Sequence, residues 1–343
     1  MKPAYLERSA SSEPRTAVVT GGAGFIGSHL VEALLRCNDR VRVLDNLATG
    51  RLDNLEHLKN DPRLSVEIAD IRESQQVARC FVGADVVFHL AALADIVPSI
   101  ENPTEYLGSN FSGTVAVLEA SRNAGVPRFV YAASSSCYGI AEVHPTPESA
   151  ACAPQYPYAL SKYLGEQATM HWHQVYDLSV ASLRLFNVYG PRSRTHGTYG
   201  AMFGVFLAQK LADAPFTVVG DGKQSRDFTY VSDVVDAFLA AGASDKIGIW
   251  NVGTGTPTSV SRIVELLAGP VVSIPKRPGE PDCTQADTTA IHRDLGWESK
   301  VSIEAGVANL LEHIDYWREA PVWTPESIAE ATRQWFSHLG SSK

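Results

Sequence analysis

Thr20-Gly21-Gly22-Ala23-Gly24-Phe25-Ile26-Gly27-Ser28-His29-Leu30 decides how this chain folds. A β-branched apolar run, residues 17–20, leads into it, and a segment with helical spacing, residues 24–35, leads out. The three glycines have separate physical reasons. Gly21 permits a tight turn, Gly24 lets backbone approach a pyrophosphate, and Gly27 lets the helix pack closely on the strand. The first helical turn, with Phe25 and Ile26, supplies unpaired N–H groups and the positive end of the helix dipole. Spacing of glycines alone is a weak signal, and the strand before and helix after make it a strong one. Asp45, just beyond the second apolar run (residues 41–44), adds a carboxylate where an adenosine ribose would donate hydrogen bonds, with Asn46 beside it. That carboxylate repels a 2′-phosphate, and although Arg51 follows, no base stands in its place, so the reading is NAD rather than NADP.

Outward from this turn, short apolar runs alternate with helical segments, the pattern of repeated βα units. The runs are residues 17–20, 41–44, 64–68, 85–90, 129–133 and 180–186, and the longest helical candidates are 24–35, 102–124 and 157–176. Right-handed crossovers turn this into an α/β, Rossmann-type doubly wound parallel sheet whose ligands sit beyond the strands' carboxyl ends. Asp70 and Ile71 end the third run, and Leu90, Ala91 and Ala92 the fourth, where an adenine edge and a cofactor ribose come within reach. Close packing explains the last three equally well. After Asn187, Gly and Pro become frequent and residues 188–200 and 275–282 read as loops. The expected division is a flexible tail over 1–15 and an NAD-binding domain over 16–186 plus about 228–253. A smaller, discontinuous α+β substrate domain takes about 187–227 plus 254–320, and a helical tail 321–343.

Tyr158 and Lys162 stand four apart on one helix face. A free tyrosine titrates near about pH 10, so a phenolate at neutrality needs ~4 kcal/mol of help from positive charge, which Lys162 and an oxidised nicotinamide supply together. Upstream, the fifth run ends in Ser134-Ser135-Ser136, three hydroxyls at the same sheet edge. The ordered set Gly21, Gly24, Gly27, Asp45, Asp70, Leu90-Ala91-Ala92, Asn110, Ser134, Tyr158, Lys162 and Arg184-x-Phe186-Asn187 resembles the extended short-chain dehydrogenase/reductases, and within them is most similar to the UDP-hexose 4-epimerases.

That resemblance implies a tightly held NAD, with Asn110 and Phe186 among its contacts. It implies Tyr158 as catalytic base, Lys162 as its electrostatic partner and ribose ligand, and Ser134 as the hydroxyl on the sugar 4-OH. Asn187 would meet a substrate phosphate. Gly220–Phe228 and residues 276–280 resemble segments that hold the diphosphate and nucleotide ribose, making Arg226, Arg277 and Glu280 substrate candidates, with small Thr284 leaving room beside the sugar C2. On residue type alone each of these charges is more often a solvated loop charge. Ser135 and Ser136 stand where related 4,6-dehydratases carry an acid and a base, and hydroxyls do not replace that pair at neutral pH. Ser136 also replaces a glutamate common in the decarboxylases. Epimerisation at C4 of a UDP-hexose or UDP-N-acetylhexosamine is therefore the expectation. A UDP-glucuronate 4-epimerase using Arg192 or Arg194, a 4-ketosugar reductase and a dinucleotide sensor are the alternatives.

Composition excludes other classes. A formal net charge of −9 lacks the basic face of a nucleic-acid binder, and no apolar stretch reaches membrane-spanning length. Five scattered cysteines without a CxxC pair indicate neither a disulfide framework nor a metal site, and suit a reducing cytoplasm. His171 and His173 lie about 200° apart around their helix and cannot share a metal, and His89 reads as a buried structural residue. The aromatic-rich stretch 316–335 reads as packing on the body. By inheritance from the family, a homodimer would pair the helices carrying residues 110–124 and 158–170, in a pathway such as polysaccharide biosynthesis.

Overall fold

The structure is a computed structural model that describes residues 14–193 and 201–340. Seven strands, β1 (Thr16–Thr20), β2 (Arg40–Asp45), β3 (Leu64–Ile68), β4 (Val86–His89), β5 (Phe129–Ser134), β6 (Val180–Leu185) and β7 (Gly248–Val252), form one parallel sheet in the order β7-β6-β5-β4-β1-β2-β3. β1, β4, β5 and β6 are buried on both faces, as their continuous apolar sequences require. One face is covered by helices Phe25–Arg36 and Val231–Ala243, the other by Ser74–Phe81, Gly113–Asn123 and Pro157–Tyr176, giving two separate apolar cores. Edge strand β3 departs from that rule, with Ile68 58% exposed. The order reverses between β1 and β4, and such a crevice is where ligands of open α/β sheets bind.

Helix Pro157–Tyr176 has the bounds its sequence predicts, with Pro157 in the first turn and Asp177 in the left-handed conformation at its end. The expected helix 102–124 is instead broken. Helices Pro103–Leu107 and Gly113–Asn123 flank a π-helical turn at Gly108–Ser112. The cause is Asn110, whose amide bonds both backbone groups of Leu93 at 2.8 Å and the Ser161 hydroxyl at 2.9 Å, pulling its turn toward the end of β4.

Beyond β6 the elements are small: two-stranded pairs Val188–Tyr189 with Thr229–Tyr230, Phe216–Val219 with Val271–Ile274, and Ser225–Arg226 with Thr258–Ser259. A third apolar core holds them, running from Tyr189 and Phe203 to Trp317 and Ile328. Helix Pro325–Ala331 joins it through Ile328, and helix Arg333–Leu339 packs on that helix.

Candidate active site

One continuous cavity of about 1020 Å³ opens at the strand-order reversal, and both the glycine turn and the second half's loops line it. Gly21 has φ +72°, and a Cβ there would lie 2.7 Å from the Ala91 backbone nitrogen, so the turn after β1 fits against the segment after β4 only without a side chain. A Cβ on Gly27 would meet the Gly21 carbonyl oxygen at 2.1 Å, so Gly27 seats the helix on the turn itself rather than on the strand. Gly24 caps the helix and offers no capping side chain, leaving the first-turn N–H groups for an anion at the cavity wall. These features fit the pyrophosphate of a dinucleotide.

Asp45 closes β2 with both oxygens engaged, accepting from the N–H groups of Ala23 (3.0 Å) and Leu47 (2.8 Å). Burial raises its pKa above the usual carboxylate range, those two bonds opposing. It still borders the cavity, as do Phe25, Ile26, Asn46, Ile71, Leu90, Ala91 and Ala92. Asp70 does not. Arg72 binds it through two bonds at 2.9 and 2.7 Å and holds its pKa down at about 2, and Asn46 donates a third at 3.0 Å. Its carboxylate is held by these neighbours at the edge of the cavity rather than in its wall. Asn110 is likewise fully buried, with its amide spent on Leu93 and Ser161. His89 sits between the Thr20 and Thr114 hydroxyls, and burial depresses it to about 3, a structural residue as expected.

At the carboxyl end of β5, Ser134, Ser135, Ser136 and Tyr158 meet in the same cavity. Ser134 hydrogen-bonds the Tyr158 side chain and, at 2.8 Å, the Ser136 hydroxyl. Burial pushes the Tyr158 phenol up and the Ser134 bond pulls it down. Lys162 lies one turn on, behind the cavity wall, with its Nζ 4.4 Å over the Tyr131 ring. Burial lowers it from 10.5 to about 7, opposed by Glu166. Glu166 is itself clamped by Arg184 at 2.6 and 2.9 Å and by Ser182 at 3.1 Å, so an ion pair fixes the Tyr158 helix to β6. Phe186 is buried and packs on Tyr138 behind the site, and its neighbours Leu185 and Asn187 line the cavity.

In the second half Arg226, Arg277, Glu280 and Thr284 all reach the cavity. Thr284 donates to Asn187 at 3.1 Å, joining two substrate candidates far apart in sequence. Arg277 and Glu280 pair at 3.0 Å. Arg226 is desolvated, which lowers its pKa, with Glu280 opposing. Asp227, unmarked in the sequence reading, accepts from Thr254 N–H and hydroxyl and from the N–H groups of Gly255 and Ala286, all within 3.0 Å, and so locks three loops around Arg226 and Thr284. Arg192 also lines the cavity and pairs with Glu32 at 2.8 Å on the glycine-turn helix. Arg194 lies outside the described residues.

Tyr156, Tyr316, Trp323 and Trp335 also line the cavity and escaped the sequence reading. For the last three the sequence signal is the aromatic stretch 316–335, which packing alone would also explain; Tyr156 has no such signal. Among the described residues no group of His, Cys, Asp or Glu is arranged to hold a metal, and no helix is long and apolar enough to cross a membrane.

The family described as "NAD dependent epimerase/dehydratase family" matches residues 17–253. The UDP-glucose 4-epimerase of Mycolicibacterium smegmatis is 36% identical over 304 residues, covering 86% of this chain and 97% of that protein. Two solved structures each have a TM-score of 0.82 at 30% identity and cover 88% of this chain. One is UDP-N-acetylglucosamine 4-epimerase from Methanobrevibacter ruminantium, covered over 100% of its length, in complex with UDP-N-acetylmuramic acid. The other is UDP-glucuronic acid 4-epimerase from Bacillus cereus, covered over 99%, in complex with UDP-glucuronic acid and NAD.

Proposed function

The chain belongs to the NAD-dependent epimerase/dehydratase family, and from that premise we propose that it is a nucleotide-sugar 4-epimerase working on a UDP-hexose or UDP-N-acetylhexosamine. One observation carries the choice within the family: Ser134 bridges Tyr158 and Ser136 in a cavity that also holds the glycine turn. A sugar C4 hydroxyl seated there meets a phenol for its proton and hydroxyls for orientation, and finds in Ser135 and Ser136 neither acid nor base for expelling water.

Tyr158 takes the proton of the 4-hydroxyl, and Ser134 keeps the phenol and the sugar oxygen in line. NAD, when bound, supplies the acceptor and then the donor of the C4 hydride. The 4-keto sugar turns over in the cavity before the hydride returns to its other face, Tyr158 gives its proton back, and net redox change is zero. Asp45 and the Gly21–Gly27 turn hold the cofactor. Arg226 and Arg277 neutralise the diphosphate, Glu280 meets the nucleotide ribose, and Thr284 with Asn187 borders the sugar. Arginine forks suit phosphate oxygens.

The comparisons support this reading through relatives that act at C4 of three different sugars, and small Thr284 favours a site with room for a C2 substituent. We further propose a homodimer through helices Gly113–Asn123 and Pro157–Tyr176, the latter carrying exposed Leu160, Val175 and Tyr176. A cytoplasmic place in carbohydrate assembly belongs to the same proposal. The test is incubation with UDP-, GDP-, dTDP- and CDP-sugars followed by NMR for C4 epimers, with Tyr158→Phe alongside. Conversion of a UDP-sugar, falling about 10²–10⁴-fold in the variant, is expected. No conversion of any sugar, or full turnover by the variant, overturns the assignment.

A further inference from the structure

The least anticipated wall of the cavity comes from the end of the chain. Trp335 is 2% exposed, yet its edge reaches the cavity. Its indole N–H donates to the Pro278 carbonyl at 2.8 Å, and the Arg277 guanidinium lies 5.6 Å from its ring centroid. On the other side Tyr156 stands 6.4 Å from it at 54°, and Tyr156 is stacked parallel on Tyr158 at the same centroid distance. Gly279 has φ +74°, and a Cβ there would lie 3.9 Å from Leu339, one turn beyond Trp335. Helix Arg333–Leu339 also packs on helix Ile96–Glu101, which follows the end of β4 in the nucleotide-binding half.

We propose that helix Arg333–Leu339 is a working part of the nucleotide-sugar site, and that Trp335 is the positioning residue that holds Arg277 and the turn 278–280 in place to receive the substrate's diphosphate. The physical case rests on mobility. The turn 278–280 contains a left-handed glycine and belongs to no helix or strand, and a loop of that kind keeps a guanidinium in one place only if something outside it supplies the restraint. Trp335 supplies two at once, a hydrogen bond to the backbone and an aromatic face for the cation, and cation–π contacts grow stronger when desolvated. Preorganising Arg277 lowers the entropy that substrate binding must remove. On its other side the same ring packs beside Tyr156, so the restraint on Arg277 is itself anchored to the body of the site.

This inference rests on the nucleotide-sugar reading above, and the experiment separates the two. UDP binding to NAD-loaded protein is measured by calorimetry, and kcat and KM for the best UDP-sugar by NMR, in wild type, Trp335→Ala and Trp335→Phe. NAD affinity and Tm are recorded for each. The expected result is a rise of about tenfold or more in UDP Kd and in KM for Trp335→Ala, with kcat and NAD affinity within about twofold. Trp335→Phe, which keeps the aromatic face and loses the hydrogen bond, should recover about half of the logarithmic loss. Unchanged UDP affinity in Trp335→Ala overturns the proposal. So does a loss shared equally by UDP, NAD, kcat and Tm, which marks a purely structural residue. Wild-type protein that binds no UDP refutes the underlying substrate reading instead.

Discussion

Glu166→Gln tests the electrostatics behind the Tyr158 helix. Glu166 and Arg184 are 1% and 4% exposed at their side chains, so their pair is desolvated on both sides. Arg184 also donates to the Tyr138 hydroxyl at 2.9 Å and to the Glu148 carbonyl at 3.0 Å and cannot turn out to solvent. Removing the carboxylate's charge leaves a buried guanidinium uncompensated, a cost of about 3–5 kcal/mol. That corresponds to a fall in Tm of about 10 °C for a chain of this size. A second effect has a definite sign. Burial lowers Lys162 to about 7 and Glu166 opposes that lowering, so the variant pushes the lysine further down. The ammonium exists below its pKa and is lost above it, so the alkaline limb of kcat/KM should move to lower pH. A lysine lowered on folding also costs stability wherever the unfolded chain is protonated and the folded one is not. Wild-type stability should accordingly gain from rising pH between about 7 and the lysine's ordinary 10.5. Thermal melts give the first quantity and pH–rate profiles the second. Glu166→Met with Arg184→Met should recover part of the melting loss, since an apolar pair leaves no buried charge. A loss under about 1 kcal/mol, or an alkaline limb that stays in place, refutes the reasoning.

Gly27→Ala puts a Cβ 2.1 Å from the Gly21 carbonyl, which is backbone and cannot yield, so NAD affinity should fall at least about tenfold by fluorescence titration. Retained affinity would show that the turn tolerates displacement. Thr284→Leu narrows the wall beside Asn187, and the kcat/KM ratio of UDP-N-acetylglucosamine to UDP-glucose should drop about 10-fold or more; an unchanged ratio removes Thr284 from the sugar's C2 side. Cys152 neighbours buried Cys137, and that neighbour draws its thiol below the usual range. Iodoacetamide mapping by mass spectrometry should find Cys152 labelled faster than the other four cysteines near neutral pH, and equal labelling rates would contradict it.

The sequence discloses what depends on chain direction and residue size. Gly21, Gly27, Asp45, Ser134 and Tyr158 all stand at or just beyond strand ends or in the turn of one helix, so period and spacing place them without knowledge of any partner. The sequence is silent where a side chain's partner is decided by the fold. Asp70 is claimed by Arg72, Asn110 by Leu93, and Phe186 by Tyr138, and no period encodes those choices. The break in helix 102–124 follows from the Asn110 bonds and is invisible to propensity. Trp335 and Tyr156 meet only after the second half folds over the first, which is why an aromatic stretch that lines the site reads as packing.

Side-chain partners also decide what the catalytic pair is before any ligand enters. Burial moves Tyr158 up and Lys162 down, so the protein's own surroundings favour the neutral form of each. A phenolate is needed to take the sugar's proton, and the residues alone lean against it. Ser134 offers one opposing hydrogen bond, and Lys162 is turned to the Tyr131 face. An oxidised nicotinamide held by the Gly21–Gly27 turn and Asp45 would supply the missing positive charge, and its reduced form would not. Proton affinity at Tyr158 would then follow the redox state. It is low while the C4 hydride has yet to leave the sugar, and high once the 4-keto sugar must be given a proton back. For a reaction with no net redox change this couples each proton to each hydride with no further residue, and it favours a chain that keeps its cofactor between turnovers.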